Sequence, residues 1–321
     1  MRGAPKRQRG IALLIALLTV ALATVLIASL LDRGELALAR TRNALRGEQA
    51  DAYAQVLEAY ASQVLLKDLD DGNEDSNTDI WAAPLPPQQV AGGMIIASMR
   101  DLNGCFNLNN LGAVDSDGVW RKMFVRLLNA LGVDPTIATS VQQWLGGGGG
   151  ADATDSYYLA QPVPYRSAQR PFAHVSELRL VRGVTSEIYA QLAPYVCALP
   201  AGTPINVNTA SVPVLQTLGS GISKAQAESL WQNGQAHWSG TFWKNWSGIT
   251  VDPTVVPSDR VGTSSSYFLA RGDVTLDGIP FTYYSLIERA SGVGIRVLER
   301  SRGSDDALVA PALPDANRNG R

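Results

Sequence analysis

The chain has 321 residues with 27 basic and 29 acidic side chains, a formal net charge of −2, and an apolar fraction of 45%. This length allows one large or two smaller domains with a proper core. The near-neutral charge argues against a dedicated nucleic-acid binder, which usually carries a basic excess. Two cysteines and two histidines exclude a zinc module built from Cys and His.

A basic segment followed by a long apolar run opens the chain. Residues 1–10 carry four basic side chains and no acid, whereas Ile11–Leu31 has no charged residue over 21 positions. As a helix this run would span about 30 Å, the thickness of a bilayer's hydrocarbon core. Its basic flank predicts that the start of the chain stays cytoplasmic. We expect a transmembrane helix at 11–31; a cleaved signal peptide and a buried helix of a soluble protein are the alternatives.

The helical pattern continues after the apolar run. Apolar residues recur at spacings of three and four with a charged opposite face, which predicts an amphipathic helix over 32–67: Leu45, Ala52, Val56, Leu57, Tyr60, Val64 and Leu65. Gly34 and Gly47 weaken this helix locally, by about 1 kcal/mol each relative to alanine. A continuous helix from Ile11 to Leu66 would be about 80 Å long.

The junction between the basic segment and the apolar run resembles the leader of type IV pilins and pseudopilins. Gly10 directly precedes Ile11, with basic residues before it. The resemblance implies that residues 1–10 are a class III leader peptide, cut after Gly10 by prepilin peptidase, and that Ile11 becomes the N-methylated first residue. Most such subunits carry a glutamate at mature position five, where this chain has Ile15. Minor pseudopilins of the K type are the members that typically lack it.

Five further segments, in the same order, resemble the protein K family of the type II secretion system. They are DLNGCFNLNNL (101–111), SYYLAQPVPYRSAQRPF (156–172), SELRLVRGV (176–184), PYVCALP (194–200) and INVNTASVPVLQTL (205–218). The resemblance implies an α+β fold with a long N-terminal helix and a pilin-like antiparallel sheet. A large, mostly helical domain would be inserted into that sheet.

We therefore expect the following order of segments. Residues 68–112 form the first part of the pilin-like domain, 113–255 the helical insertion, 256–300 the returning strands and 301–321 a flexible tail. The returning strands are predicted from a change in the sequence pattern, because residues 267–298 are short apolar runs separated by Gly and Pro. The segment 205–227 inside the insertion resembles a helix-hairpin-helix motif.

Cys105 and Cys197 lie 92 residues apart, each within one of the segments quoted above. An even pair of cysteines in an oxidising compartment indicates a disulfide. Two buried free thiols are the alternative.

Two acidic regions are candidate calcium sites. Residues 68–79 hold six acids and no base, which predicts either a solvated loop or a calcium loop, although the spacing does not match an EF-hand. Relatives can bind calcium through two acidic stretches. The first reads here Gln143-Trp144-Leu145-Gly146-Gly147-Gly148, without any carboxylate, and the second keeps only Asp152 and Asp155. Calcium needs six to eight oxygen ligands, so we expect its binding there to be weak or lost.

The tryptophans 231, 238, 243 and 246 fall within sixteen residues. Packing in a core is the default interpretation for Trp231, Trp238, Trp243 and Trp246, and an exposed contact surface for partners is the alternative.

Enzyme motifs are absent: neither histidine stands in a metal-ligand pair, and no nucleophile elbow or phosphate loop occurs. We nominate no catalytic residues and expect no enzyme.

The resemblance implies a minor pseudopilin at the tip of the pseudopilus, which helps to initiate its assembly and the export of folded proteins across the outer membrane. Its partners would be minor pseudopilins I and J, then H and the major pseudopilin. It would cross the bacterial inner membrane once, with a cytoplasmic N-terminus and a periplasmic head.

A membrane-anchored periplasmic DNA-binding protein that uses the helix-hairpin-helix motif is the alternative. The region Pro200–Gly248 has only two basic residues, Lys224 and Lys244, against one acid, Glu228. Phosphate binding normally needs several Lys or Arg side chains, so we expect no nucleic acid as a partner.

Overall fold

A computed structural model of the chain describes residues 8–112, 115–147, 151–240, 259–290 and 294–303. Two compact units divide the chain, Met1–Tyr53 and Ala54–Arg321. Helix α1, Gln8–Asp71, contributes residues to both units. The predicted long N-terminal helix is therefore confirmed, and its two internal glycines do not interrupt it.

The remaining elements all belong to the second unit. In chain order they are β1 Leu85–Val90, β2 Gly93–Asp101, β3 Phe106–Asn107, α2 Val119–Ala130, α3 Ile137–Trp144, α4 Ala151–Leu159, α5 Ser186–Leu192, β4 Val196–Cys197, β5 Ile205–Asn206, α6 Val212–Leu215, α7 Lys224–Trp231, β6 Val261–Gly262, β7 Tyr267–Leu276, β8 Ile279–Ala290 and β9 Gly294–Arg302. Short 3₁₀ helices connect several of them, including Ile80–Ala82 and Val175–Leu180.

The main sheet has five antiparallel strands in the order β1-β2-β7-β8-β9. Strands β2 and β7 are direct neighbours, although the chain between them runs from Asp101 to Tyr267. Everything between these two strands is therefore an insertion into one sheet, as the fold prediction required. Our boundaries at 113 and 255 stay predictions, but the sheet itself is left at Asp101 and entered again at Tyr267.

The strands after the insertion are longer than the sequence pattern predicts. The pattern breaks β7 into two runs, Tyr267–Leu269 and Asp273–Leu276, because Ala270-Arg271-Gly272 lies between them. In the structure β7 is continuous and is hydrogen-bonded to β2 on one side and β8 on the other. Pairing on both sides outweighs the weak local propensity of these three residues. An Asp277-Gly278 turn, with positive φ at both positions, then leads into β8.

Alternate residues of the sheet face two separate cores. Phe268 and Ile287 pack with Leu65 of α1 and with Trp81, and the Trp81 ring meets Phe268 edge to face at 5.2 Å. The neighbouring residues Tyr267 and Leu269 point to the opposite face and join the larger core of the inserted domain. The sheet thus holds the second part of α1 on one face and the helical insertion on the other.

Candidate anchoring and assembly site

The apolar part of α1 is long and apolar enough to cross a membrane, with a mean hydropathy of 2.9. Its large side chains from Ile11 to Leu31 are all more than half exposed, and Ile15 is 57% exposed. Side chains this apolar are normally removed from water. The first unit therefore presents a bare apolar helix that needs lipid or other subunits around it. The backbone at Gly10 is already helical.

Glu58, in the second part of α1, forms an ion pair with the sheet. Arg300 of β9 donates two hydrogen bonds to the Glu58 carboxylate, at 2.7 and 2.6 Å, and the Ser285 hydroxyl donates a third at 3.1 Å. These bonds, with those from Arg300 first, hold the pKa of Glu58 below its ordinary value. Gly272 allows the close approach of the helix, because a Cβ there would lie 2.6 Å from a methyl group of Leu57.

The acidic segment 68–79, which covers the end of α1 and the residues after it, is not the solvated loop that composition favoured. Asp75 and Ser76 are fully buried, and Asp68 is 8% exposed. The buried Arg289 of β8 donates to Asp68 at 2.8 Å and to Asp75, and it also donates to the Ser265 carbonyl at 3.1 Å. A solvated loop is therefore the wrong interpretation for this segment, because an arginine from the far end of the chain draws two of its carboxylates inward.

The same segment brings three carboxylates together, which bears on the calcium interpretation. Oxygen atoms of Asp68, Asp75 and Asp79 lie within 4.8 Å of one another, close enough for one cation to contact all three. The guanidinium of Arg289 already supplies the positive charge for two of them. A single arginine leaves this cluster with excess negative charge. Burial, partly offset by Arg289, raises the pKa of Asp68 to about 6 and raises that of Asp75.

Asp68→Asn is expected to gain stability relative to the wild type as the pH rises. The pKa of Asp68 is about 6 in the folded state and 3.8 in the unfolded chain. Between these two pH values the folded state therefore keeps a proton on Asp68 that the unfolded chain has lost. The wild type's free energy of unfolding therefore falls as the pH rises through that window. Asparagine does not titrate, so the difference should shift by about 1–3 kcal/mol in favour of the variant between pH 4 and pH 8.

Urea unfolding of the full chain in detergent at both pH values measures this shift. Asp259→Asn, which changes an exposed carboxylate, is the control. A difference between Asp68→Asn and the wild type that does not change with pH would contradict the prediction.

Buried asparagines of the motifs join distant segments of the inserted domain. The amide of Asn109 donates to the Phe172 and Leu199 carbonyls and its oxygen accepts from the Phe172 N–H, all at 2.7–3.0 Å. Asn103, Asn107, Asn110, Asn206 and Asn208 make similar bonds to backbone groups. A buried amide is stable only when its hydrogen bonds are made. Sequence reasoning quoted these asparagines but did not identify this role.

Gly104→Ala is expected to destabilise the inserted domain by about 1–3 kcal/mol. A Cβ at Gly104 would lie 2.6 Å from the carbonyl oxygen of Thr209. That oxygen belongs to the backbone, so it cannot move aside as a side chain could. Gly262→Ala is the matched control, because its nearest atom would be 3.9 Å away. Equal unfolding midpoints in urea for the two variants would contradict this reading.

Cys105 and Cys197 lie side by side at the short parallel pair of β3 and β4. Their sulfur atoms are at bonding distance and their Cα atoms are 5.9 Å apart. Cys197 is buried in the core of the inserted domain, and Cys105 packs against that core. The arrangement is the one that a disulfide requires.

The candidate calcium ligand Asp155 is occupied by protein donors. Its carboxylate accepts from the Ser167 backbone N–H and hydroxyl at 2.9 and 2.7 Å, and from Arg166 at 3.1 Å. These bonds, those from Ser167 above all, lower the pKa of Asp155. The side chain of Asp152 lies outside the described residues. Weak or lost calcium binding at this pair stays a prediction.

The tryptophan cluster is not a fully exposed surface. Trp238 is only 8% exposed, and its indole N–H donates to the Leu230 carbonyl at 3.1 Å. Trp231 is half-buried and packs against the same core. An exposed contact surface is therefore wrong for Trp238, because its ring fills the core next to α7. Trp243 and Trp246 lie outside the described residues.

The helix-hairpin-helix resemblance has a local structural basis. Helices α6 and α7 are joined by Gly219–Ser223, and Ser223 caps α7 through its hydroxyl. The basic residue at the start of α7, Lys224, faces Glu228 at 3.8 Å. Its charge is thus partly balanced within the protein.

A long helix that is bare and apolar at its start, and that carries an antiparallel sheet on its second part, defines a subunit of the pilin-like class. The family models of type II secretion system protein K match residues 104–201 and 205–264. The Pseudomonas aeruginosa protein K is 35% identical over 92% of this chain and 93% of its own length. The chain therefore belongs to the type II secretion system protein K family.

Other relatives agree with this assignment. The protein K of Pectobacterium carotovorum subsp. carotovorum is 31% identical over 92% of this chain and 97% of its own length. A solved structure, the GspK-GspI-GspJ complex from the type 2 secretion system of enterotoxigenic Escherichia coli, contains a similar chain. The TM-score is 0.72 at 28% identity, covering 83% of this chain and 99% of that one.

Proposed function

We propose that the chain is a minor pseudopilin that forms a tip complex with minor pseudopilins I and J. One observation carries this proposal: 83% of this chain matches 99% of a chain in the solved GspK-GspI-GspJ complex. In this proposal the chain helps to initiate the pseudopilus and thereby the export of folded proteins, with H and the major pseudopilin as further partners. Its role is structural rather than catalytic.

The N-terminal segment would deliver and anchor the subunit. We propose that prepilin peptidase cuts after Gly10 and that Ile11–Leu31 then crosses the inner membrane with its start in the cytoplasm. The four basic side chains of residues 1–10 support this orientation. The head, residues 68–300, would lie in the periplasm, and its net acidic charge fits a role that needs no nucleic acid.

Ile15 supports a place at the end of the pseudopilus. A glutamate buried among apolar helices is costly unless a neighbouring amine compensates it. A subunit without that glutamate does not need a partner on that side, and its bulky inserted domain then meets nothing above it.

Ile15→Glu is expected to leave secretion unchanged or mildly reduced, because a terminal subunit gains nothing from the carboxylate. Secretion of a reporter enzyme by cells that carry the variant measures this. Ile27→Glu, which buries a charge in the same helix without a compensating amine, should abolish function and serves as the comparison. A strong increase in secretion with Ile15→Glu would contradict the argument for the tip position.

Co-purification tests the proposed complex. The full chain, co-expressed with I and J, should elute with both as one species in detergent. A chain that elutes alone, with I and J still bound to each other, would refute the proposal. Salt-sensitive retention on DNA would favour the helix-hairpin-helix alternative. The pairing of Lys224 with Glu228 argues against that alternative, because it partly neutralises the charge that would meet a phosphate.

A further inference from the structure

An exposed patch on the inserted domain combines apolar side chains with two arginines that stack on tyrosines. We call it the arginine–leucine patch, and its members are Leu159, Val163, Arg179, Leu180 and Arg182. Leu159 is 46% exposed, Val163 78% and Leu180 45%.

The patch has a rigid base. The Tyr165 hydroxyl donates to the Leu180 carbonyl at 2.9 Å, and the Arg182 N–H donates to the Tyr158 hydroxyl at 3.2 Å. The rings of Tyr158 and Tyr165 lie 5.3 Å apart, and the Tyr165 N–H donates to the Tyr158 carbonyl at 3.4 Å. The loop that carries Val163 is thus closed against the segment that carries the arginines.

Both arginines are held in place by aromatic rings. The Arg179 guanidinium lies 4.2 Å from the ring centre of Tyr189, and that of Arg182 lies 4.6 Å from the ring centre of Tyr157. A stacked guanidinium keeps its N–H edge free for a planar, two-bonded contact with a carboxylate, and little side-chain entropy remains to be lost. Tyrosine and arginine around exposed apolar groups are typical of interface hot spots.

The charges around the patch are unbalanced. The nearby basic residues Arg166 and Arg170 are paired with Asp155 and Glu177. Within the part of the chain that the structure describes, neither Arg179 nor Arg182 makes an ion pair. The patch is therefore a local positive site on a head that is acidic as a whole, and it complements a negative partner.

We propose that the arginine–leucine patch binds an acidic protein segment in which carboxylates flank a large apolar residue. The carboxylates would accept hydrogen bonds from Arg179 and Arg182, while the apolar residue would cover Leu180, Leu159 and Val163. An anionic membrane surface fits the observations less well, because the patch is small and offers two oriented guanidinium edges rather than a broad basic face. We expect this contact to be separate from the one with I and J.

Peptide phage display on the full chain in neutral-lipid nanodiscs tests the proposal. Empty nanodiscs serve for counter-selection. Enriched peptides should place Asp or Glu on both sides of Leu, Phe or Trp. Their affinity, measured by fluorescence anisotropy, should fall by about tenfold or more in Arg179→Glu/Arg182→Glu. Leu180→Ser should weaken the same peptides about threefold or more.

Matched variants separate this site from general charge and apolar effects. Lys122→Glu/Lys224→Glu makes the same change in charge at two exposed lysines elsewhere, and Leu298→Ser removes an exposed leucine from β9. Both should leave peptide affinity within about twofold of the wild type. If Arg179→Glu/Arg182→Glu unfolds, Arg179→Gln/Arg182→Gln is used in its place.

Three results would overturn the proposal. They are the absence of any enriched peptide, enriched peptides without acidic residues, and peptide binding that the arginine variants do not change. Binding of the nanodiscs to phosphatidylglycerol vesicles that depends on both arginines, without peptide binding, would identify a membrane surface instead. Complex formation with I and J should persist in the arginine variants, so failure here and failure of the proposed tip complex are distinguishable.

Discussion

Arg289→Met is expected to lower the free energy of unfolding by about 3–5 kcal/mol at pH 8. The arginine is 6% exposed, and it compensates two carboxylates, Asp68 and Asp75, that are themselves at least nine-tenths buried. Methionine fills similar volume but leaves both carboxylates without a positive partner. Removing one member of a buried ion pair costs more than the pair contributes, because the remaining charge stays desolvated.

The loss should depend on pH in a defined direction. Without Arg289 the carboxylates of Asp68 and Asp75 hold protons more strongly still, and the pKa of Asp68 is already about 6 in the wild type. A folded-state pKa above the unfolded value makes stability fall as the pH rises. The cost of Arg289→Met should therefore be smaller at pH 5 than at pH 8.

Arg296→Met is the matched control for this experiment. Arg296 lies on the neighbouring strand and contacts Glu288, but its side chain is 64% exposed. An exposed pair contributes about 0–1 kcal/mol, so this variant should change little at either pH. Urea unfolding of the full chain in detergent, followed by tryptophan fluorescence, measures both variants. Equal losses for the two would show that the buried cluster does not hold the acidic segment.

The same cluster shows where sequence reasoning stops. Six acids in twelve residues predict a solvated loop, because the residue that buries two of them comes more than 200 positions later in the chain. Composition contains no information about such a partner. The helix α1 could be predicted, since both its apolar run and its three-to-four spacing are local features.

Asn109 illustrates a second limit. Asparagine is more often exposed than buried, yet Asn109 is 4% exposed and bonds to carbonyls 63 and 90 residues away. Only the tertiary fold brings those carbonyls together. Strand β7 was likewise divided in the prediction, because its pairing with β2 crosses the whole insertion. The motif residues were identified correctly, but their physical role depends on long-range contacts.

Removing the pair of cysteines with Cys105→Ala/Cys197→Ala is expected to lower the free energy of unfolding by about 4–5 kcal/mol. A bridge between residues 92 positions apart restricts the unfolded chain more than a short loop would. The segments that it joins, β3 and β4, pair over only two residues each. Alanine is chosen instead of serine because serine would bury a hydroxyl group at position 197. The measured loss therefore reports on the bridge rather than on a new polar group.

Reduction of the wild type provides the control for the side-chain change itself. Under dithiothreitol the wild type and the double variant should unfold at nearly the same urea concentration, whereas without it the wild type should be more stable. Mass spectrometry of the unreduced, digested chain should show the two cysteine peptides joined. Separate free-thiol peptides, together with a stability that reduction does not change, would mean that Cys105 and Cys197 are two packed thiols. In that case strand pairing, core packing and the asparagine contacts would hold β3 against β4 without a covalent bond.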